Sequence, residues 1–218
     1  MDTPKTLPIL DAVQLRVLGA LMEKCKTTPD YYPMTLNGLA AACNQKTSRR
    51  PVVQYDESTI VSALNSLKIA GLISTATGGS IRNIKYKHNF AIVFPLLPSE
   101  VAIMCLLFLR GPQTPGEINT NSGRLHEFET LEEVQQTLEK LASDTPAYVK
   151  QLARKPGQKE VRYMHLFGGD MEDIEEEYLN EPASPKGNNE LAARLAKVEE
   201  ELAELKDNFD KLMKELMG

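Results

Sequence analysis

The residues of this sequence that could make or break bonds are few and scattered. Three histidines and three cysteines lie far apart along the 218 residues: His88, His126, His165, Cys25, Cys43 and Cys105. They form no His-Glu-x-x-His or Cys-x-x-Cys pattern, and the chain has neither a phosphate-binding Gly-x-x-x-x-Gly-Lys loop nor a Gly-x-Ser-x-Gly nucleophile turn. The sequence therefore predicts no enzyme, no metal site and no cofactor.

The cysteines and the apolar runs also bear on location. An odd number of separated cysteines is typical of a reducing cytosol. The N-terminus has no basic segment followed by an apolar one, and every apolar run is far shorter than the ~20 residues of a membrane span. We therefore expect a cytoplasmic protein.

Binding chemistry is better represented, in one stretch of the first half. Residues 44–90 contain seven basic and two acidic residues. Basic side chains bind phosphates, and hydroxyl or amide side chains on a helix can reach base edges. The sequence thus predicts contacts to double-stranded DNA by Lys46, Arg49, Arg50, Ser58, Thr59, Ser62, Asn65, Arg82, Lys85 and Lys87. The alternative is a solvated polar face, because the helix itself carries only Lys68 and no arginine or glutamine for bidentate reading of a base.

A helix and a hairpin must position these residues. Asp56 is a good N-cap, apolar residues recur at Ile60, Leu64 and Leu67, and Gly71 ends the pattern. Residues 72–77 and 84–90 alternate as strands around a Gly-Gly turn. Two earlier helices, over residues 11–26 and 36–44, complete the order of a winged-helix domain.

The second half repeats this order. Capping signals at Ser99, Thr114 and Thr130 predict three more helices, and residues 148–153 and 161–167 predict a second hairpin. The predicted fold is mainly α with small β-hairpins (α+β), with winged-helix domains at residues 8–94 and 95–169. The third helix of the second copy carries Glu132, Glu133 and Glu139, which repel phosphate. We expect this copy to pack on a partner chain or on the first domain.

The C-terminal residues have a different composition. Residues 170–189 hold seven acids and predict an acidic linker, and residues 190–217 predict a coiled-coil helix. Its apolar residues alternate spacings of four and three, which favours a homodimer through Leu191, Leu195, Val198, Leu202, Leu205, Phe209, Leu212 and Leu216. The alternative is a single amphipathic helix that packs on the body.

Several segments carry a family resemblance. These are RVLGALMEK (16–24), TTPDYYP (27–33), ACNQK (42–46), LRGPQTPGE (109–117), LHEF (125–128) and RYMHLF (162–167). In this order they resemble the YceH family of bacterial proteins, over roughly residues 8–169. The resemblance implies a tandem winged-helix fold, and it implies no catalytic residues.

Two functions follow as hypotheses. The first is a dimeric, regulatory DNA-binding protein that reads its site with the first domain. The second is a protein-interaction scaffold without DNA binding, indicated by the acidic third helix of the second copy and by the apolar segment 90–97 between the copies.

Overall fold

A computed structural model describes residues 6–77, 84–154 and 160–168 of the chain. Its helices are α1 (Ala12–Thr27), α2 (Leu36–Cys43), α3 (Glu57–Ile69), α4 (Phe90–Val93), α5 (Pro98–Arg110), α6 (Pro115–Ser122) and α7 (Leu131–Ser143). Its strands are β1 (Met34–Thr35), β2 (Ile73–Thr77), β3 (Ile84–His88), β4 (Val149–Gln151) and β5 (Tyr163–His165). The mixed α+β class predicted from the sequence is confirmed.

The first half, residues 8–94, is called the first repeat. Helix α1 begins after Asp11, whose carboxylate accepts a hydrogen bond from the Gln14 amide at 2.8 Å while the Gln14 side chain accepts one from the Asp11 amide. A three-stranded antiparallel sheet in the order β1-β3-β2 closes the repeat. Strand β1 therefore fixes the start of α2 to the hairpin, since Thr35 both pairs with Lys85 and caps α2.

Helix α3 has the ends that the sequence predicts. The Asp56 carboxylate accepts a hydrogen bond from the Thr59 amide at 2.7 Å, which satisfies one of the unpaired amides of the first turn. At the other end Gly71 adopts φ +74°, a left-handed conformation that glycine takes without strain, and the chain turns into β2. Ile60, Leu64 and Leu67 are buried.

The second half, residues 95–168 of the described chain, is called the second repeat. Helices α5, α6 and α7 and strands β4 and β5 follow in the same order as α1, α2, α3, β2 and β3. Gln113 forms an antiparallel bridge with Tyr163, at the position that β1 occupies against β3 in the first repeat. Helix α5 starts at Pro98 rather than after Ser99, because the Glu100 carboxylate accepts a hydrogen bond from the Leu97 amide at 2.7 Å.

The described residues of the two repeats lie in one compact unit and share one apolar core. Helices α1 and α5 approach most closely at Gly19, where a Cβ atom would lie 2.9 Å from Cδ2 of Leu109 and 3.1 Å from Cβ of Phe108. The Cys105 thiol donates a weak hydrogen bond to the Gly19 carbonyl at 3.5 Å. A side chain at residue 19 would separate the helices.

An aromatic cluster also joins the repeats. Phe90 and Phe94 of the α4 segment pack against Phe167, with ring centroids 5.6 and 5.3 Å away, and Phe90 meets Phe108 edge to face at 5.5 Å. The apolar segment between the repeats is thus partly buried inside the chain. Ile92 and Leu97, by contrast, remain exposed.

Candidate nucleic-acid interface

The exposed face of α3 is polar over most of its length. Ser58, Ser62, Asn65 and Ser66 are exposed and recur at spacings of three and four, opposite the buried stripe, while Thr59 is half-buried. Ile69 ends the same face and is 89% exposed. Four side chains with hydroxyl or amide groups thus share one exposed surface.

The N-terminus of α3 carries negative charge. Hydrogen bonds from the Thr59 amide and from the Ser58 hydroxyl, the latter at 2.8 Å, hold the pKa of the Asp56 carboxyl below its usual range. Asp56 is therefore ionised at neutral pH, and the exposed Glu57 lies beside it. This end of the helix disfavours a phosphate, so a DNA backbone would have to contact the flanking loop and hairpin.

The loop between α2 and α3 is held at both ends. The Asn44 side chain donates to the Tyr55 carbonyl and accepts from the Tyr55 amide, both at 2.8 Å. The buried Arg16 donates to the Cys43 carbonyl at 3.1 Å and to the Pro51 carbonyl at 2.6 Å. The loop leaves these anchors with Lys46 and Arg50 exposed. These two predicted phosphate contacts thus lie on a supported surface loop.

Arg49 lies elsewhere than the sequence analysis expects. It is 6% exposed, and its guanidinium forms a forked ion pair with Glu23 of α1, with Nη1–Oε1 3.0 Å and Nη2–Oε2 2.6 Å. It also donates to the Ala42 carbonyl, the Ser48 carbonyl and the Gln45 side chain. Its donors face the protein interior, so Arg49 is not placed to contact a phosphate.

The hairpin contributes two lysines within the described residues. Lys87 is exposed on β3, and Lys85 is half-buried beside Thr35. The Tyr32 hydroxyl accepts a hydrogen bond from the His88 amide at 2.7 Å and fixes the base of the hairpin. Burial, helped by the nearby Lys26, lowers the pKa of His88 to about 4, so this histidine adds no charge at neutral pH. Arg82 lies outside the described residues.

The equivalent surface of the second repeat is acidic. Glu132 and Glu139 are exposed on α7, while Glu133 accepts a hydrogen bond from the Glu129 amide at 2.9 Å. The one basic residue of α7, Lys140, forms an ion pair with the buried Glu100 of α5. The surface of α7 is therefore unlike that of α3. The repeat itself packs against the first repeat through α5, which was one of the two alternatives expected.

Clusters suited to bond chemistry are not found in the part of the chain that the structure describes. No three His, Cys, Asp or Glu side chains there are grouped as metal ligands would be. Cys43 and Cys105 are buried, and burial raises the pKa of Cys43 to about 12, which makes it a poor nucleophile. The eight residues from Leu191 to Leu216 predicted to mediate dimerisation lie outside the described residues.

Sequence reasoning missed the ion pairs that join distant segments. Besides Glu23 with Arg49, Arg162 of the second repeat donates to both carboxylate oxygens of Glu117, at 2.5 and 2.6 Å. These partners are 26 and 45 residues apart. No local pattern marks such pairs, whereas the helix caps were visible within four residues.

The fold is of the mixed α+β class, and the candidate site is a polar and basic surface of residues 8–94. Sequence similarity to known proteins identifies the family of the chain. The profile described as "Protein of unknown function, DUF480" matches residues 10–158. The chain belongs to this family.

Curated relatives are similar in sequence to this chain over most of its length. A UPF0502 protein of Opitutus terrae is 48% identical over 177 residues, which are 81% of this chain and 77% of that protein. A UPF0502 protein of Solibacter usitatus is 48% identical over 201 residues, covering 92% of this chain and 95% of that protein. The UPF0502 protein YceH of Salmonella paratyphi B is 42% identical over 213 residues, covering 95% and 97%. The resemblance to the YceH family is thus confirmed.

Among the residues that the structure describes, no helix combines the length and the apolar character needed to cross a bilayer.

Proposed function

We propose that this chain is a DNA-binding protein built from two tandem winged-helix repeats, with the first repeat contacting the duplex. The arrangement of α1, β1, α2, α3 and the β2–β3 hairpin supports this, because it is the element order of a winged-helix domain. In such a domain the third helix enters the major groove and the hairpin lies against the backbone.

The observation that carries the proposal is the surface composition around α3. Its exposed face offers Ser62 and Asn65 as donors and acceptors. Lys46 and Arg50 precede the helix on the supported loop, and lysines lie on β3 beyond it. The basic side chains on the flanks would contact phosphates, and the neutral polar side chains on the helix would contact base edges.

The proposed assembly is a cytosolic homodimer joined by the C-terminal coiled coil of residues 190–217. Two copies of the first repeat would then read two half-sites related by a two-fold axis. The alternating four-three apolar spacing of that segment supports this, together with its opposite charges on the flanking positions.

Binding to pooled genomic fragments in gel-shift assays at low and moderate salt tests this proposal. Lys46→Gln, Lys85→Gln and Lys87→Gln together remove charge without removing a described hydrogen bond. We expect the triple variant to bind more weakly, because fewer counterions are released. Arg154→Gln, on the second repeat, is the matched control. Equal affinity of the triple variant and the native chain would refute the proposal.

A protein-interaction scaffold is the second candidate. The acidic surface of α7 favours it, as do exposed apolar side chains in the segment between the repeats: Ile92 and Leu97 are 80% and 58% exposed. Affinity purification of the tagged chain after nuclease treatment distinguishes the two functions. A stoichiometric protein that is lost on Ile92→Lys favours the scaffold, and recovery of nucleic acid alone in untreated samples counts against it.

A further inference from the structure

A polar cleft of about 170 Å³ lies where helices α1, α5 and α6 end, between the two repeats. Hydroxyl and amide groups from both repeats line it: Thr27, Thr28, Gln45, Thr47, Ser48 and Asn121. A cavity of roughly 150 Å³ accommodates a molecule of benzene size. The cleft thus has room for a small polar ligand.

The charges in the cleft are mainly positive. Lys24, Arg110 and Arg124 reach it from three different elements, and Glu23 is the one carboxylate among the described lining residues. Both oxygens of Glu23 are already bonded to Arg49, and Lys24 lies 3.2 Å from Oε2. Glu23 therefore neutralises the buried Arg49, and the two arginines of the cleft have no carboxylate of their own there.

Arg110 is the central group. It is half-buried, and within the described chain its side chain makes a single hydrogen bond, from Nη2 to the Ser48 hydroxyl at 2.9 Å. Burial lowers the pKa of Arg110 and the charge of Arg49 adds to this, while Glu23 and Glu117 partly offset it, yet an arginine remains charged at neutral pH. A guanidinium has five donors in a planar fork that matches a carboxylate or a phosphate. Most of these donors are therefore available to a ligand.

Two neighbours strengthen the case. Arg124 follows α6 and makes no hydrogen bond or ion pair among the described residues, so its charge is also available. Ser48, which accepts from Arg110, has φ +59°, a left-handed backbone conformation that is strained for a residue with a side chain. Backbone strain of this kind is concentrated at ligand sites and switch regions.

We propose that this cleft binds a small oxyanion ligand, whose carboxylate or phosphate group lies between Arg110 and Arg124 with Lys24 at its edge. The polar lining would bond the remainder of the ligand. The same loop carries Lys46, so ligand binding would also fix the segment that we propose to contact DNA. The oxyanion site stands without DNA binding, and the two are tested by different variants.

Isothermal titration of the full chain with inorganic phosphate and, separately, with malonate tests the site at low ionic strength. We expect saturable binding of at least one probe and a rise in the thermal unfolding midpoint. Arg110→Gln removes a charge-assisted contact and is expected to weaken binding about tenfold or more. Arg124→Gln breaks no described bond, so it reports on the site even if the Arg110 variant is unstable. Arg154→Gln is the matched control and is expected to bind as the native chain does.

Three outcomes would overturn this proposal. The first is that neither phosphate nor malonate gives saturable heat or raises the thermal unfolding midpoint. The second is an equal loss of binding in the Arg154 control, which would indicate general charge attraction. The third uses a short DNA duplex as a further probe: if the Arg110 and Arg124 variants lose DNA affinity but keep the native response to phosphate and malonate, these arginines belong to the DNA surface.

Discussion

Glu23 of α1 carries the charge that balances the buried Arg49, and removing that charge should destabilise the protein. The Glu23→Gln variant keeps the size of the side chain but leaves a buried guanidinium without its carboxylate. In the native structure the Arg49 side chain is fully buried, and Glu23 is 15% exposed at a distance of 2.6 Å. An unpaired charge in that position cannot recover its lost hydration.

Two estimates of the magnitude agree. Breaking one partner of a buried ion pair costs about 3–5 kcal/mol. Coulomb's law for charges ~4 Å apart at an effective dielectric constant of ~20 gives ~4 kcal/mol. Arg49 would keep its bonds to the Ala42 and Ser48 carbonyls. We therefore expect a loss of about 3 kcal/mol, which a typical stability of about 5–15 kcal/mol would survive.

Urea unfolding at neutral pH measures this loss. A double-mutant cycle of Glu23→Gln, Arg49→Gln and their combination gives the coupling energy, because the double variant removes both charges of the pair together. Lys46→Gln, an exposed change in the same loop, is the control and should shift stability by at most about 0.5 kcal/mol. Single variants as stable as the Lys46 control, or a coupling energy near zero, would refute the structural role of the pair.

The pair also predicts that the free energy of unfolding falls as the pH drops below about 4.5, the usual pKa of a glutamate. Burial raises the pKa of the Glu23 carboxyl, but the hydrogen bond and charge of Arg49, together with Lys24, outweigh it, so the folded pKa is below the usual value of 4.5. A lowered carboxyl pKa contributes stability above the unfolded value, and this contribution is lost as pH falls through the folded one. Because Arg49 is buried against Glu23, changing Arg49 to an acidic residue would destabilise the fold. Loss of DNA binding in such a variant would therefore not show that Arg49 contacts DNA.

Three further predictions concern the two histidines with lowered pKa values, the contact between α1 and α5, and the C-terminus. Burial lowers the pKa of His165 to about 4, and that of His88 is similar, so stability should fall as pH drops from 6.5 to 4, by up to about 3 kcal/mol for His165. His165→Asn keeps an acceptor and should remove the His165 share, roughly half of the combined loss from the two histidines, in urea unfolding at a series of pH values; an unchanged pH slope would contradict it. Gly19→Val should cost about 1–3 kcal/mol by overpacking against Leu109, measured by thermal unfolding, whereas no change would mean that the helices separate freely. Deletion of residues 190–218 should convert a dimer to a monomer in analytical ultracentrifugation, and an unchanged mass would show that the body self-associates.

The fold was predictable where its signals are local. Asp56 and Gly71 mark the ends of α3 within a few residues of the bonds they make. The helix order of both repeats follows from such caps. The start of α5 was misplaced, because Ser99 is also a good cap and only the Glu100 hydrogen bond to the Leu97 amide selects the earlier start.

The site was less predictable, because exposure depends on contacts between distant segments. Arg49 and Arg50 are adjacent and chemically identical, yet one is buried against Glu23 and the other is exposed. The cleft around Arg110 likewise exists only because the two repeats pack on each other. Charge counts along the chain cannot distinguish these environments.

The salt dependence of duplex binding tests the central claim most directly. With Lys46, Arg50, Arg82, Lys85 and Lys87 as phosphate contacts, log K should fall with log salt at a slope of about −4.5 per protomer. Gln at Lys46, Lys85 and Lys87 should reduce the slope to about −2, while Arg154→Gln leaves it unchanged. An unaltered slope in the triple variant, or no binding by the native chain at low salt, would contradict the account.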